Sequence, residues 1–199
     1  MADYDPKADL RRYLQQARDA MVWKLDGLSE YDIRRPLVAT GTNLLGLIKH
    51  LTGVELGYFG STFGRPSPDE FEWDPDDPSL DRNFDMYATT EESRASIVDG
   101  YRRSWAHADT TIDALPLDAI GHVRHWPAEH NEVTLHQMIV RVIADSQRHA
   151  GHADIVRELI DGTAGLTPDS SNLPGSGYSW QDHWNRVEAT AKAAAEAIS

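Results

Sequence analysis

One stretch of the sequence places a carboxylate and two imidazoles where a helix should face the core. Asp145, His149 and His152 are separated by four and three residues, so their side chains share one helical face. The other members of this face are apolar: Leu135, Met138, Val142, Val156 and Leu159. Polar groups on a buried face are costly unless something satisfies them, and a divalent metal is one general solution.

An earlier segment supplies a candidate third ligand. His50 lies on a second apolar helical face, whose other members are Leu47, Leu51, Val54 and Tyr58. His50, Asp145 and His149 together would form a two-histidine, one-carboxylate site with open coordination positions. The structural alternative for His50 and His149 is a buried histidine that hydrogen-bonds within the core.

The role of His152 is open at this point. It could be a fourth ligand, a group that orients a ligand, or an acid–base group. The structural alternative is a residue near the bundle end that hydrogen-bonds to backbone. We favour an orienting or structural role over direct ligation.

Two other groups of residues resemble metal sites, but their positions predict exposed surface. The histidines lie in a connector or off the apolar face of a first helical turn: His122, His125, His130 and His136. The acids lie in a proline-containing loop without the glycine and final glutamate of a calcium loop: Glu70, Glu72, Asp74, Asp76 and Asp77. We predict a solvated loop there.

Composition limits the function classes. The 199 residues carry 32 acids and 19 bases, a formal net charge of -13, which disfavours nucleic acids and anionic membranes. There is no cysteine, so a thiol nucleophile must come from a co-substrate. The acidic N-terminus is unlike a signal peptide, and no apolar run is long enough for a membrane span. We therefore expect a cytoplasmic protein.

Hydrophobic periodicity predicts five helices and no strand. The helices are expected at about residues 6–27, 42–60, 89–112, 133–161 and 179–197, the third beginning with a capping box at Thr89–Glu92. Four long amphipathic helices predict an all-α four-helix bundle at about residues 7–162, within a single domain spanning 1–199. The remaining loop and helix, 163–199, would cap the bundle or pack on a partner subunit. The long loop Gly64–Asp85 is a candidate for substrate specificity.

Two segments resemble the DinB-like (YfiT-like) superfamily of metal proteins. Thr42–Glu55, TNLLGLIKHLTGVE, looks like the second helix of that superfamily. Asp145–Glu158, DSQRHAGHADIVRE, is similar to the E-x-x-R-H-x-G-H-x-D-x-x-R-E signature of one branch, and Leu25–Glu30 also fits that branch. The resemblance covers about residues 8–162.

The resemblance implies a four-helix bundle that holds a divalent metal through His50, Asp145 and His149. Zinc is the first expectation, with nickel, iron or manganese as alternatives. Two residues depart from the branch pattern. Asp145 replaces a glutamate and is one methylene shorter, and Arg141 replaces a histidine that many relatives carry. Arg141 could bind an anionic co-substrate or point outward.

The superfamily includes thiol-dependent S-transferases and a mycothiol-dependent maleylpyruvate isomerase. The resemblance therefore implies a thiol S-transferase, with Arg141, Arg148 and Glu55 as candidate orienting groups. One alternative is a metal-dependent hydrolase or isomerase that uses metal-bound water, with His152 as a proton shuttle. Another is a non-catalytic interaction protein whose metal fixes the bundle and whose contact surface includes Trp180 and Trp184. Relatives are often dimers, so we expect a homodimer.

Overall fold

The computed structural model describes residues 5–71 and 81–198. Within these ranges the chain is predominantly helical and confirms the predicted bundle with an additional C-terminal helix. The elements in chain order are α1 (Pro6–Trp23), α2 (Glu30–Arg34), α3 (Leu44–Phe59), α4 (Arg94–Ala114), β1 (Ile120–His122), β2 (Glu132–Thr134), α5 (Leu135–Asp161) and α6 (Trp180–Ile198). A single 3-10 turn, Ser61–Phe63, follows α3.

Local sequence signals set the ends of the bundle helices. The side chains of Asp5 and Asn43 accept hydrogen bonds from the first turns of α1 and α3. At the start of α5, Thr134 and Gln137 form a reciprocal capping box. Gly162 ends α5 in the left-handed conformation, with φ of 79°, which glycine adopts without strain. These signals define where α3 and α5 begin and where α5 ends. α3 carries His50, and α5 carries Asp145 and His149.

The predicted start of α4 is wrong by several residues. The helix begins at Arg94, and the Ser93 hydroxyl caps it by accepting from the Ser96 amide at 3.0 Å. Glu92 does not cap a helix. Its carboxylate accepts from the Thr89 amide at 2.8 Å and from the Lys49 ammonium group on α3 at 2.9 Å. Glu92, which the capping-box pattern assigned to the start of the helix, therefore makes a tertiary contact with Lys49 instead.

The prediction that the chain has no strand is also wrong. β1 and β2 pair antiparallel within the connector before α5, with Gly121 opposite Val133. Each strand has three residues, which is too short for an alternating pattern to be recognised in the sequence. Gly121 is needed because a Cβ there would lie 2.7 Å from the Phe63 ring. A further short helix, α2, interrupts the connector after α1.

The bundle is formed by α1, α3, α4 and α5. α1 packs against α5, while α3 packs against both α4 and α5. Two apolar clusters fill the interior, one containing Leu47, Leu51 and Ala150, the other containing Leu14, Phe59 and Val142. Because α3 and α5 are in contact, polar side chains at the edge of their interface can converge.

The C-terminal segment is attached to the bundle through its first residues. The Trp23 indole donates to the Leu166 carbonyl at 2.9 Å, and the ammonium group of the buried Lys24 donates to the Gly165 carbonyl. α6 itself buries little surface, since Trp180 and Trp184 are 46% and 60% exposed. No helix in the described ranges has the apolar length needed to cross a bilayer.

Candidate metal centre

The structure brings His50, Asp145 and His149 together. One nitrogen or carboxylate oxygen from each lies within 4.8 Å of the others, and no other such group of three occurs in residues 5–71 and 81–198. The His50 and His149 rings are 4.9 Å apart between centroids. Asp145 Oδ1 lies 3.8 Å from His149 Nε2, one helical turn away on α5. The packing of α3 against α5 thus assembles residues that are distant in sequence.

These side chains lie at the edge of the buried face of α5 and not at its centre. The buried residues in the middle of α5 are small, namely Ser146, Ala150 and Ala153. Asp145 is 34% exposed and His149 13% exposed, while His152 is fully on the exposed side. The prediction that His152 faces the core is therefore wrong. The buried face of α5 is shifted by one residue from the predicted face, from Asp145, His149 and His152 to Ser146, Ala150 and Ala153. These small side chains let α5 pack closely against its neighbours.

His50 is oriented by a carboxylate that the sequence analysis did not identify. Its Nδ1 lies 2.7 Å from Asp85 Oδ2. Burial alone would raise the pKa of Asp85, but the hydrogen bond with His50, a backbone hydrogen bond and the nearby charge of Lys49 together contribute to lowering it. An ionised Asp85 accepts the Nδ1 hydrogen and so leaves the His50 Nε2 lone pair free for a metal.

The backbone around Asp85 is fixed on the first turn of α3. The side-chain amide of Asn43 donates to the Met86 carbonyl at 3.0 Å, and the ammonium group of Lys49 donates to the Tyr87 carbonyl at 3.2 Å. Gly46 permits this approach, because a Cβ at that position would lie 1.9 Å from the Met86 oxygen. Asn43 therefore caps α3 and also helps to hold Asp85, which orients His50.

His149 has the properties of a neutral metal ligand. Its Nδ1 is buried and finds no hydrogen-bond partner among the described residues. Burial, with repulsion from His50, lowers its pKa to about 4, so the ring is uncharged at neutral pH. Two imidazoles and a carboxylate, with one imidazole already oriented by Asp85, are a donor set suited to zinc and other divalent transition metals. The residues present therefore fit such an ion.

Comparison with known families agrees with this geometry. A family model described as Mycothiol-S-transferase matches residues 9–162, which include the three residues of the centre. The chain belongs to the mycothiol S-transferase family. This also confirms the resemblance to the DinB-like superfamily. No curated protein matches the chain.

An open groove adjoins the candidate centre of this mycothiol S-transferase family member. Its volume is about 640 Å³, and its lining includes His136, Arg141, Asp145 and Arg148. Arg141 lies over two aromatic rings, 4.7 Å from the Trp126 centroid and 5.3 Å from the Tyr58 centroid. Its Nε donates to the Tyr58 hydroxyl at 3.2 Å. Arg141 is thus an exposed residue with a fixed orientation, one turn from Asp145.

The remaining candidate residues do not join the centre. His122, His130 and His136 are exposed, as predicted. His125 also lies at the surface, 6.1 Å from the Tyr58 ring, where burial and the charge of Arg141 lower its pKa.

Glu55 does not reach the groove. It is fully buried and pairs with Arg18 at 2.6 Å, which overturns its proposed orienting role. The predicted solvated loop is only partly described, because Glu72, Asp74, Asp76 and Asp77 lie outside the described residues. At the near end of that loop, Glu70 accepts a hydrogen bond from Ser61 at 2.6 Å.

Proposed function

We propose that this protein is a divalent-metal-dependent thiol S-transferase that uses mycothiol or a thiol of the same type. The observation that carries the proposal is the partly buried group of His50, Asp145 and His149 within the segment that matches the mycothiol S-transferase family. The open groove beside Asp145 gives a substrate access to this group. Zinc is the metal we propose first, with nickel, iron and manganese as alternatives.

In this proposal His50, Asp145 and His149 hold the metal, and Asp85 keeps His50 in the correct tautomer. When bound, the metal supplies a positive charge that stabilises the thiolate form of the co-substrate at neutral pH. The thiol loses its proton and its sulfur forms a bond to the electrophilic carbon, while the leaving group departs with its bonding electron pair. The chain has no cysteine of its own, which is consistent with a borrowed thiol.

His152 is the residue we propose to accept the thiol proton. Its ring is 5.5 Å from that of His149 between centroids, and its side chain is exposed. An imidazole with this access to solvent can accept a proton and pass it on to water.

The first test is the metal content of the purified protein, measured by elemental analysis beside His149→Ala. His122→Ala is the matched control, since His122 is an exposed histidine on β1 and does not line the groove. We expect near-stoichiometric metal in the wild type and in the control, and loss in His149→Ala. Equal metal in all three proteins, or none after reconstitution, would reject the proposed ligand set.

The second test separates thiol transfer from the alternative chemistry. Mycothiol and other small thiols are titrated calorimetrically into the metal-loaded protein, and conjugation to electrophiles is then measured. Binding in the micromolar to millimolar range supports the proposal. Turnover of substrate without any thiol would instead favour a hydrolase or isomerase that uses metal-bound water.

A third test concerns the shorter ligand. Asp145→Glu restores the residue that the related branch carries, and we expect it to retain the metal, whereas Asp145→Ala should lose it. Metal retention by Asp145→Ala would remove this carboxylate from the proposed ligands.

We also propose that the protein acts in the cytoplasm as a homodimer. The exposed apolar side chains of α6, Trp180, Trp184 and Val187, are the surface most in need of a partner. Sedimentation velocity on the wild type and on Trp184→Ser tests the dimer. A monomer in both at micromolar concentration would exclude it.

A further inference from the structure

Arg141 occupies an unusual position in a strongly acidic protein. It is exposed, yet its guanidinium group is fixed over Tyr58 and Trp126 at 5.3 and 4.7 Å, and its Nε bonds to the Tyr58 hydroxyl. Contacts of an arginine with two aromatic faces restrict its orientation without using up its terminal hydrogen-bond donors. Neither terminal amino group has a hydrogen-bond partner within the described part of the chain.

The charges around Arg141 also favour the binding of an anion. The chain has a net charge of -13, but no described carboxylate lies within ion-pair distance of Arg141. The groove beside it is lined by Arg141, Arg148 and a single carboxylate, Asp145, which the proposed metal would engage. Arg141 also lines a second depression next to the β1–β2 hairpin, whose lining includes Glu129 and Glu132. Within the groove, two arginine side chains therefore accompany one carboxylate, and that carboxylate belongs to the proposed metal centre.

The spacing relates this charge to the reacting atoms. Arg141 and Asp145 are four residues apart on α5, which places their side chains on one face, about 5–6 Å apart at Cβ. One small molecule could therefore contact the terminal amino groups of Arg141 with one end and reach the metal centre with the other. A planar guanidinium with free amino groups is the side chain best suited to bind a carboxylate in a bidentate manner.

We infer that Arg141 is a substrate-binding residue for a carboxylate on the electrophile, so that the preferred electrophiles are small carboxylic acids whose carboxylate is a few bonds from the reacting carbon. This inference rests on the proposed function. In the proposed reaction the co-substrate reacts through its sulfur at the metal, so we assign the carboxylate bound by Arg141 to the electrophile.

The test measures binding without turnover. Zinc-loaded protein is titrated calorimetrically with para-nitrobenzoate and with para-nitrobenzamide, which differ in charge but little in shape. We expect the acid to bind about tenfold more tightly than the amide, as for a charge-assisted pair in a partly open site. Arg141→Gln should remove the preference, and Arg141→Lys should keep only part of it. Arg186→Gln makes the same charge change on exposed α6 and should keep all of it.

A second arm measures transfer from mycothiol to a chlorodinitrobenzoate and to its amide. Arg141→Gln should raise KM for the acid about tenfold with little change in kcat, and should leave the amide unaffected. Equal binding of acid and amide by the wild type, or a preference that survives Arg141→Gln, overturns the inference. If the binding preference depends on Arg141 but no thiol is transferred to either compound, the inference about the carboxylate site stands and the proposed transferase activity fails.

Discussion

Two groups of polar side chains lie along α3, centred on Glu55 and on His50, and they differ in how completely the protein satisfies them. Glu55 is fully buried, and Arg18 donates to both of its oxygens, at 2.8 and 2.6 Å. Asp109 accepts a further bond from Arg18 at 2.9 Å. Around His50 the side chains are partly exposed, and His149 Nδ1 has no partner among the described residues. A closed set of bonds serves the fold, whereas an open set is available for a ligand.

The electrostatics of the two groups follow from this difference. Burial opposes the charge of Arg18, but Glu55 and Asp109 outweigh burial and raise its pKa, so the guanidinium stays charged. At His149 burial and the neighbouring His50 act together and lower the pKa, so the imidazole is neutral. The first group pairs its charges, although burial still raises the pKa of Glu55 beside Arg18, and the second loses a charge that a metal ion could replace.

The largest expected effect is on the closed group. Arg18→Met leaves the Glu55 carboxylate buried without its partner, and we expect the free energy of unfolding to fall by about 3–5 kcal/mol. Urea denaturation measures this loss. The double variant Arg18→Met/Glu55→Leu removes both charges and should recover most of the stability. An equally large loss in the double variant would show that packing, and not the unpaired charge, is responsible.

The next effect concerns the open group. Zinc at about 100 times its dissociation constant should raise the free energy of unfolding by about 2.7 kcal/mol, because it binds the folded chain only. Thermal or urea denaturation with zinc and with a chelator measures the difference. His149→Ala should show no zinc effect, while His122→Ala, a change at an exposed histidine outside the groove, should behave like the wild type. Stabilisation of His149→Ala by zinc would mean that the ion binds elsewhere.

Asp85 tests how the open group is oriented. Asp85→Asn keeps the size of the side chain but removes the charge that fixes the His50 tautomer, so zinc affinity should fall about 10–100-fold. Competition with a chromophoric chelator gives the affinity. Asp169→Asn, an exposed change in the C-terminal loop, is the control. An unchanged affinity in Asp85→Asn would show that the contact at 2.7 Å does not influence the metal.

The comparison also explains which parts of the centre could be predicted. Asp145 and His149 could be predicted as neighbours because helical periodicity is a local property, and residues four apart lie on the same face of a helix. His50 required a second apolar face and the assumption that the two helices meet. The burial of His152 was predicted wrongly because periodicity defines a face but not its rotation. Here the small residues Ser146, Ala150 and Ala153 determine which edge is buried.

Tertiary contacts account for what the sequence could not predict. Asp85 is 35 residues from His50 and is brought there by bonds from Asn43 and Lys49 to the following backbone. Glu55 is only five residues from His50, yet its partner Arg18 comes from α1, and this pairing assigns it to the fold. In each case a distant partner decides the role, and a pattern within one helix does not contain that partner.

A third polar group, at the C-terminal end of α5, provides the smallest expected effect. Arg157 donates to the Lys24 and Asp26 carbonyls at 2.8 and 2.9 Å and so caps the end of α1. Asp161 holds the Arg157 guanidinium at 2.6 Å. The hydrogen bond from Arg157 lowers the pKa of Asp161 to about 2, from an ordinary value of 3.8.

The folded-state pKa of Asp161 lies below its unfolded value, which sets the sign of its pH dependence. Its contribution is complete above about pH 4 and is lost as the pH falls towards 2. Since Asp161 is about one-third exposed, we expect no more than about 1 kcal/mol. Urea midpoints between pH 2 and 5 with a chelator present should fall less steeply in Asp161→Asn than in the wild type. Parallel curves would show that this bond makes no measurable contribution to stability. Such a result would contrast with the loss expected for Arg18, because Asp161 is partly exposed to solvent whereas Arg18 and Glu55 are buried.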